Sequence, residues 1–147
     1  MITKKANLIR TVKNIYFSKN EPVSIVHFLT NRCNARCSFC FIDFDDPNTF
    51  KGELTLEEIE KLTKNLGKSL LNVNLTGGEP FARKDIVDIA KLYIRNSTVQ
   101  SMYITTNASL PDRVENFANE ICINEKCNLV NTFPDFRNGK FFSYVFL

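Results

Sequence analysis

Val23-Ser24-Ile25-Val26-His27-Phe28-Leu29 runs without a break into Thr30-Asn31-Arg32-Cys33-Asn34-Ala35-Arg36-Cys37-Ser38-Phe39-Cys40, and this passage decides the fold. Its first half is mostly apolar, rich in β-branched and aromatic residues, and has the length of a buried strand. Its second half puts three cysteines within eight positions, Cys33 to Cys40, out of five in the chain. An odd count and a tight cluster suit metal ligation in one short loop better than a disulfide framework. They also suit a reducing compartment, and a cytoplasmic location is expected.

Downstream the rhythm of strand, loop and helix recurs. Thr55 and Glu58 are spaced as a capping box for a helix whose Leu56, Ile59, Leu62 and Leu66 share one stripe, with Gly67 placed to end it. Leu71, Val73 and Leu75 alternate with Asn72 and Asn74 as a second strand would, and Thr76-Gly77-Gly78-Glu79-Pro80 follows at once. Ile86, Ile89, Ala90 and Tyr93 suit a helix, Val99 to Thr105 a third strand, and Pro111 the start of a helix carrying Val114, Phe117 and Ile121. Such alternation predicts an α/β chain of parallel βαβ units, whose ligands sit beyond the carboxyl ends of the strands.

Upstream, Leu8, Ile9, Val12, Ile15 and Tyr16 suit a helix before Glu21-Pro22 breaks the pattern. Three segments are therefore expected: an N-terminal arm or helix at 1–21, the βα core at 22–122, and an irregular segment at 123–147. The last is polar and turn-rich until Lys140 to Leu147, which is dense in Phe and Val and suits a terminal strand in need of a neighbour.

Composition narrows the function by exclusion. The chain has 147 residues, 44% apolar and 24% charged, enough for about one globular core. A net charge of +3 is too weak and dispersed to argue for nucleic acid. No apolar run approaches the ~20 residues of a membrane span, and Met1 to Asn20 has no signal-peptide core.

The cysteine loop carries the chemistry. Three thiolates can hold three irons of a four-iron cluster, and with no fourth cysteine one iron is left open to a small molecule. The CxxxCxxC spacing with aromatic Phe39 before the last cysteine, set right after a first strand, resembles the signature of the radical S-adenosylmethionine superfamily. Gly77-Gly78-Glu79-Pro80 resembles that family's GGEP motif for the methionine amino group. Thr105-Thr106-Asn107 resembles, more weakly, a threonine-asparagine element at the barrel mouth. Thr30 and Asn34 are similar to the branch containing molybdenum-cofactor synthesis and peptide-maturation enzymes.

The resemblance spans roughly Val23 to Ile121 and implies a partial (β/α) TIM-type barrel, about its first three to four βα units. It implies a 4Fe-4S cluster on Cys33, Cys37 and Cys40, S-adenosylmethionine held at its methionine end by Gly77, Gly78 and Glu79, and Phe39 beside the adenine. It further implies an electron donor such as flavodoxin or ferredoxin, and hydrogen abstraction from a substrate by a 5′-deoxyadenosyl radical. The residues carry their own logic: glycines admit close backbone approach, a carboxylate answers an ammonium, and Pro80 stiffens the turn.

Plainer readings stand beside these. The cysteines could form a zinc knuckle, although that would want a fourth ligand, or be unrelated buried thiols. His27 reads as a satisfied strand residue, with a place in the barrel lining as the alternative. Cys122 and Cys127 read as ordinary thiols, the terminal aromatic run as core or interface, and Lys4, Lys5 and Arg10 as a solvated face. A full barrel needs ~200 residues or more. A truncated core is therefore expected over a changed reading frame or a half-barrel completed by another subunit, and with it an exposed hydrophobic sheet edge that favours self-association.

Overall fold

The computed structural model describes residues 8–17, 21–66, 68–124, 129–132 and 142–146. The expected helix stop at Gly67 lies outside these residues, as do Lys4, Lys5, Cys127 and the side chains of Arg10 and Cys122.

Helix α1 (Leu8–Phe17) precedes strand β1 (Ser24–Thr30), followed by α2 (Leu56–Asn65) and β2 (Asn72–Gly77). A single 3-10 turn at Pro80–Ala82 leads to α3 (Ile86–Asn96), β3 (Ser101–Thr106) and α4 (Pro111–Asn124). Two short strands, β4 (Leu129–Thr132) and β5 (Phe142–Phe146), complete the order. Helix α2 begins at the expected capping box: the Thr55 hydroxyl accepts from Glu58 N at 3.3 Å, and the Glu58 carboxylate accepts from Thr55 N at 2.8 Å. Two otherwise orphaned donors at the helix start are thereby satisfied.

Strands β1, β2 and β3 pair in parallel, with Val26 opposite Asn74 and Leu75 opposite Ile104. Their helices share one side. Leu29, Val73, Leu75, Met102 and Ile104 of the strands form a single buried cluster with Ile59 of α2, Ile89 and Tyr93 of α3, and Phe117 and Ile121 of α4. Phe81 and Phe117 meet edge to face with ring centres 5.6 Å apart. Each fully buried side chain of this size contributes roughly 1.5–3 kcal/mol. Helices on one side of a parallel sheet make the opening arc of a β/α barrel, as expected, rather than a doubly wound sheet.

Among the described residues, the helices of the buried cluster leave the other side of the sheet uncovered. Val26 and Phe28 are more than half exposed there, and Asn72, Asn74 and Thr76 of β2 are half-buried between them and Tyr103. The Ser101 hydroxyl donates to Asn72 Oδ1, and the Thr105 hydroxyl to Asn74 Oδ1 at 3.4 Å. This polar ladder runs along the face that a closed barrel would turn inward.

The terminal strand expected within Lys140 to Leu147 finds neighbours on both sides. Strand β5 pairs antiparallel with β3 and with β4, giving the order β1-β2-β3-β5-β4. The edge of β3 is therefore covered, and the edges of this sheet are β1 and β4. Among the described residues no helix is long and apolar enough to cross a membrane.

Candidate functional site

The three sequence motifs lie at the carboxyl ends of β1, β2 and β3, and backbone contacts join the first two. Gly78 N donates to Thr30 O at 2.7 Å, and Glu79 N donates to Arg32 O at 2.8 Å. Gly77 has φ +133°, and a Cβ there would lie 2.2 Å from Thr30 O; a Cβ on Gly78 would lie 2.4 Å from Arg32 O. Both glycines are needed so that the β2 loop can lie directly against the root of the cysteine loop. The sequence suggests that they admit a ligand; the close approach visible here is to Thr30 and Arg32.

Glu79 is wholly buried. Its Oε1 accepts from Phe81 N at 3.0 Å and from the Thr106 hydroxyl at 2.7 Å, and its Oε2 accepts from Asn107 N at 2.8 Å. A buried carboxylate is tolerable only with such donors around it. The bonds from Thr106 and Asn107 fasten the β2 loop to the end of β3, while the one from Phe81 N closes the loop on itself. In the sequence Glu79 reads as the partner of a ligand ammonium; in the fold its carboxylate is already engaged by three protein donors.

Asn107 continues the chain of contacts towards the cysteines. Its Nδ2 donates to Asn34 Oδ1 at 2.9 Å and lies 3.8 Å from Cys33 Sγ. Asn34 Nδ2 donates to the Ser109 hydroxyl at 2.7 Å, and Ser109 N donates back to Asn107 Oδ1 at 2.9 Å. The turn that permits this passes through Ala108 at φ +54°, a left-handed conformation rare for a residue with a Cβ.

The root of the cysteine loop is clamped from the opposite side. Arg32 grips Glu53 through Nε at 3.0 Å and through a terminal nitrogen at 2.8 Å, while the Thr30 hydroxyl donates to the same carboxylate. Asn31 Nδ2 donates to Thr49 O at 2.7 Å. Arg83, almost fully buried, donates to Leu29 O at 3.1 Å and Leu54 O at 3.0 Å and forms two bonds to Asp85. The sequence offers no sign of Arg83 or Glu53 as supports, since the Leu29 and Leu54 carbonyls that Arg83 reaches, and the Thr30 and Arg32 side chains that hold Glu53, are remote along the chain.

Within the loop, Cys33 is half-buried, Cys37 and Cys40 are exposed, and all three are free thiols. Cys40 N donates to Cys37 O at 3.0 Å and Ala35 N to Cys33 Sγ at 3.4 Å. Arg36 sits 3.8 Å over the Phe44 ring, and Phe41 meets Phe28 edge to face. Phe39 is 67% exposed. Among the described residues no three His, Cys, Asp or Glu side chains converge on one point suited to a metal ion. The loop thus collects the three thiols without drawing their sulfurs together, and the donor set fits an iron-sulfur cluster by its chemistry and accessibility.

His27 behaves as a satisfied strand residue. It faces α3, not the open side of the sheet, and its Nδ1 lies 2.9 Å from the Tyr93 hydroxyl. Burial, and then the charge of Arg83, push the imidazole below its ordinary value near 6.5. Because the folded pKa is depressed, the unfolded chain binds more protons, so this stability is complete above about pH 6.5 and declines as pH falls. Asp85, held low by its hydrogen bonds from Arg83, adds a second loss in more acid solution. For Glu53 burial pushes upward, but hydrogen bonds from Arg32 and Thr30 prevail and its pKa is lowered as well. The melting temperature is expected to fall between pH 7.5 and 5.5, and His27→Gln is expected to flatten that part of the profile.

A family model described as the radical SAM superfamily matches residues 28–131, more than half of the chain. The chain belongs to the radical SAM superfamily. The matched span contains all three strand-end motifs. This radical SAM chain is also 38% identical over 87 residues to a GTP 3',8-cyclase of Rhodopirellula baltica, an alignment covering 56% of this chain and 24% of the relative. It spans about a quarter of that protein's length. No solved structure matches. Members of the family typically use a 4Fe-4S cluster and S-adenosylmethionine.

Proposed function

We propose that this chain forms the cluster- and S-adenosylmethionine-binding part of a radical SAM enzyme. The observation that carries the reading is the bonded succession of three strand-end motifs: the cysteine loop on Gly78 and Glu79, Glu79 on Thr106 and Asn107, and Asn107 on Asn34 and Cys33. A zinc knuckle or a set of unrelated thiols has no need of that scaffold.

Cys33, Cys37 and Cys40, as thiolates, would hold the cluster. Bound there, a 4Fe-4S cluster supplies the electron that cleaves S-adenosylmethionine to methionine and a 5′-deoxyadenosyl radical. Gly77, Gly78 and Glu79 would shape the seat of the methionine end, and exposed Phe39 would flank the adenine. Arg32, Glu53 and Arg83 keep the loop root fixed while the exposed part of the loop closes around its ligand. The likeness to a GTP 3',8-cyclase supports the branch suggested by Thr30 and Asn34. An electron donor of the flavodoxin or ferredoxin class completes the proposal, with self-association through the edges of β1 or β4 as a further element.

A second reading, a non-catalytic iron-sulfur or S-adenosylmethionine-binding fragment, is favoured by Glu79, whose carboxylate is already engaged by three protein donors. The two separate on one assay. Protein reconstituted anaerobically, then given dithionite and S-adenosylmethionine, should release 5′-deoxyadenosine if it is a catalytic core. Full cluster loading without release would select the fragment reading.

A further inference from the structure

Asn107 stands where two of the motifs meet the third. Its backbone N–H is held by the buried carboxylate of Glu79, which anchors the main chain at this point. Its amide oxygen accepts from Ser109, leaving the Nδ2 hydrogens free to point at the cysteine loop. One is directed at Asn34 Oδ1 at 2.9 Å and the other at Cys33 Sγ at 3.8 Å. Cys33 is the most enclosed of the three cysteines, and its sulfur already accepts from Ala35 N.

Resting on the reading that Cys33, Cys37 and Cys40 hold a 4Fe-4S cluster, we infer that Asn107 is a positioning residue that raises the cluster's reduction potential by donating to the Cys33 sulfur. The physical reason is charge. Reduction adds an electron whose density spreads onto the ligand sulfurs, and an N–H directed at one of them stabilises the more negative state. Asn34 accepts from the same amide, while Arg32, the residue before Cys33, is held independently by its carbonyl's bond from Glu79 N.

The consequence differs from that of a simple loop anchor. Asn34→Ala loses the amide pair but keeps the Asn107 donor, whereas Asn107→Asp keeps the acceptor for Ser109 N, loses the donor and adds a negative charge. Redox titration of the reconstituted protein, followed by EPR, should show Asn107→Asp shifting the reduction equilibrium about tenfold towards the oxidised cluster, about 59 mV for a one-electron couple. Asn107→Ser, smaller and uncharged, should shift it in the same direction by less. It is the comparison to use if the aspartate variant binds less iron. Asn107→Gln, which restores an amide donor, should recover part of the loss, and Asn34→Ala should stay within about twofold of the parent.

An unchanged potential in Asn107→Asp and Asn107→Ser with full iron content would overturn the inference while leaving the cluster assignment intact. Equal shifts in Asn34→Ala and the Asn107 variants would also overturn it, since loop position alone would then explain both. A parent protein that takes up zinc and no iron-sulfur cluster would remove the underlying reading, and the inference with it.

Discussion

Cys37→Ala is expected to abolish cluster uptake and release of 5′-deoxyadenosine together while leaving the apo chain as stable as the parent. Cys37 is exposed, and in the turn Cys40 N donates to the Cys37 carbonyl rather than to its sulfur. Trimming an exposed side chain changes stability by only about 0.5 kcal/mol or less. The substitution therefore isolates the ligand role from any packing role. Iron and sulfide analysis together with an apo-protein thermal melt would check both halves. A Cys37→Ala protein that still carries a full cluster would refute the assignment of this thiol, and an unfolded one would show that the loop has a structural task not visible in its contacts.

Gly77→Ala should have the largest effect on folding. The added methyl would sit 2.2 Å from Thr30 O, a backbone atom held by the end of β1, on a residue whose φ of +133° already disfavours a side chain. Strain and overlap together should cost about 3 kcal/mol or more. Against a typical small-domain stability of about 5–15 kcal/mol, that is a large fraction. Gly52 is the natural comparison: its φ is also positive, at +82°, but a Cβ there meets nothing within 4 Å. Gly52→Ala should therefore cost only the left-handed backbone penalty, about 1–2 kcal/mol. Urea unfolding of the two variants would separate the clash from the strain, and equal midpoints would contradict the close contact of the β2 loop with Thr30.

Local signals account for most of the fold that could be read in advance. The Thr55 and Glu58 pair marks the start of α2, Pro111 marks the start of α4, and the alternation around Val73 and Leu75 marks β2, because each depends on neighbours a few residues away. Strand β1 begins one residue later than its apolar run, and β3 two residues later than Val99, since strand ends are set by pairing rather than composition. The seating of β5 between β3 and β4 is a pairing between distant segments, and an apolar run such as Phe141 to Leu147 does not specify its partner.

The site divides in the same way. Cys33, Cys37, Cys40 and Gly77 to Pro80 are legible because each motif is contiguous. The position of Glu79 is not, because the donors that bury it come partly from Thr106 and Asn107 on the next strand. Likewise Asn107 has a role only once β3 brings it beside Asn34, and Arg83 only once the ends of β1 and the α2 approach lie within its reach.

One spectrum tests the cluster assignment most directly: EPR of the anaerobically reconstituted, dithionite-reduced protein, recorded before and after addition of S-adenosylmethionine. The predicted result is an iron-sulfur signal that changes when the molecule occupies the open iron, from protein holding about four irons per chain. Protein that holds zinc and gives no iron-sulfur signal, or a signal indifferent to S-adenosylmethionine, would contradict it.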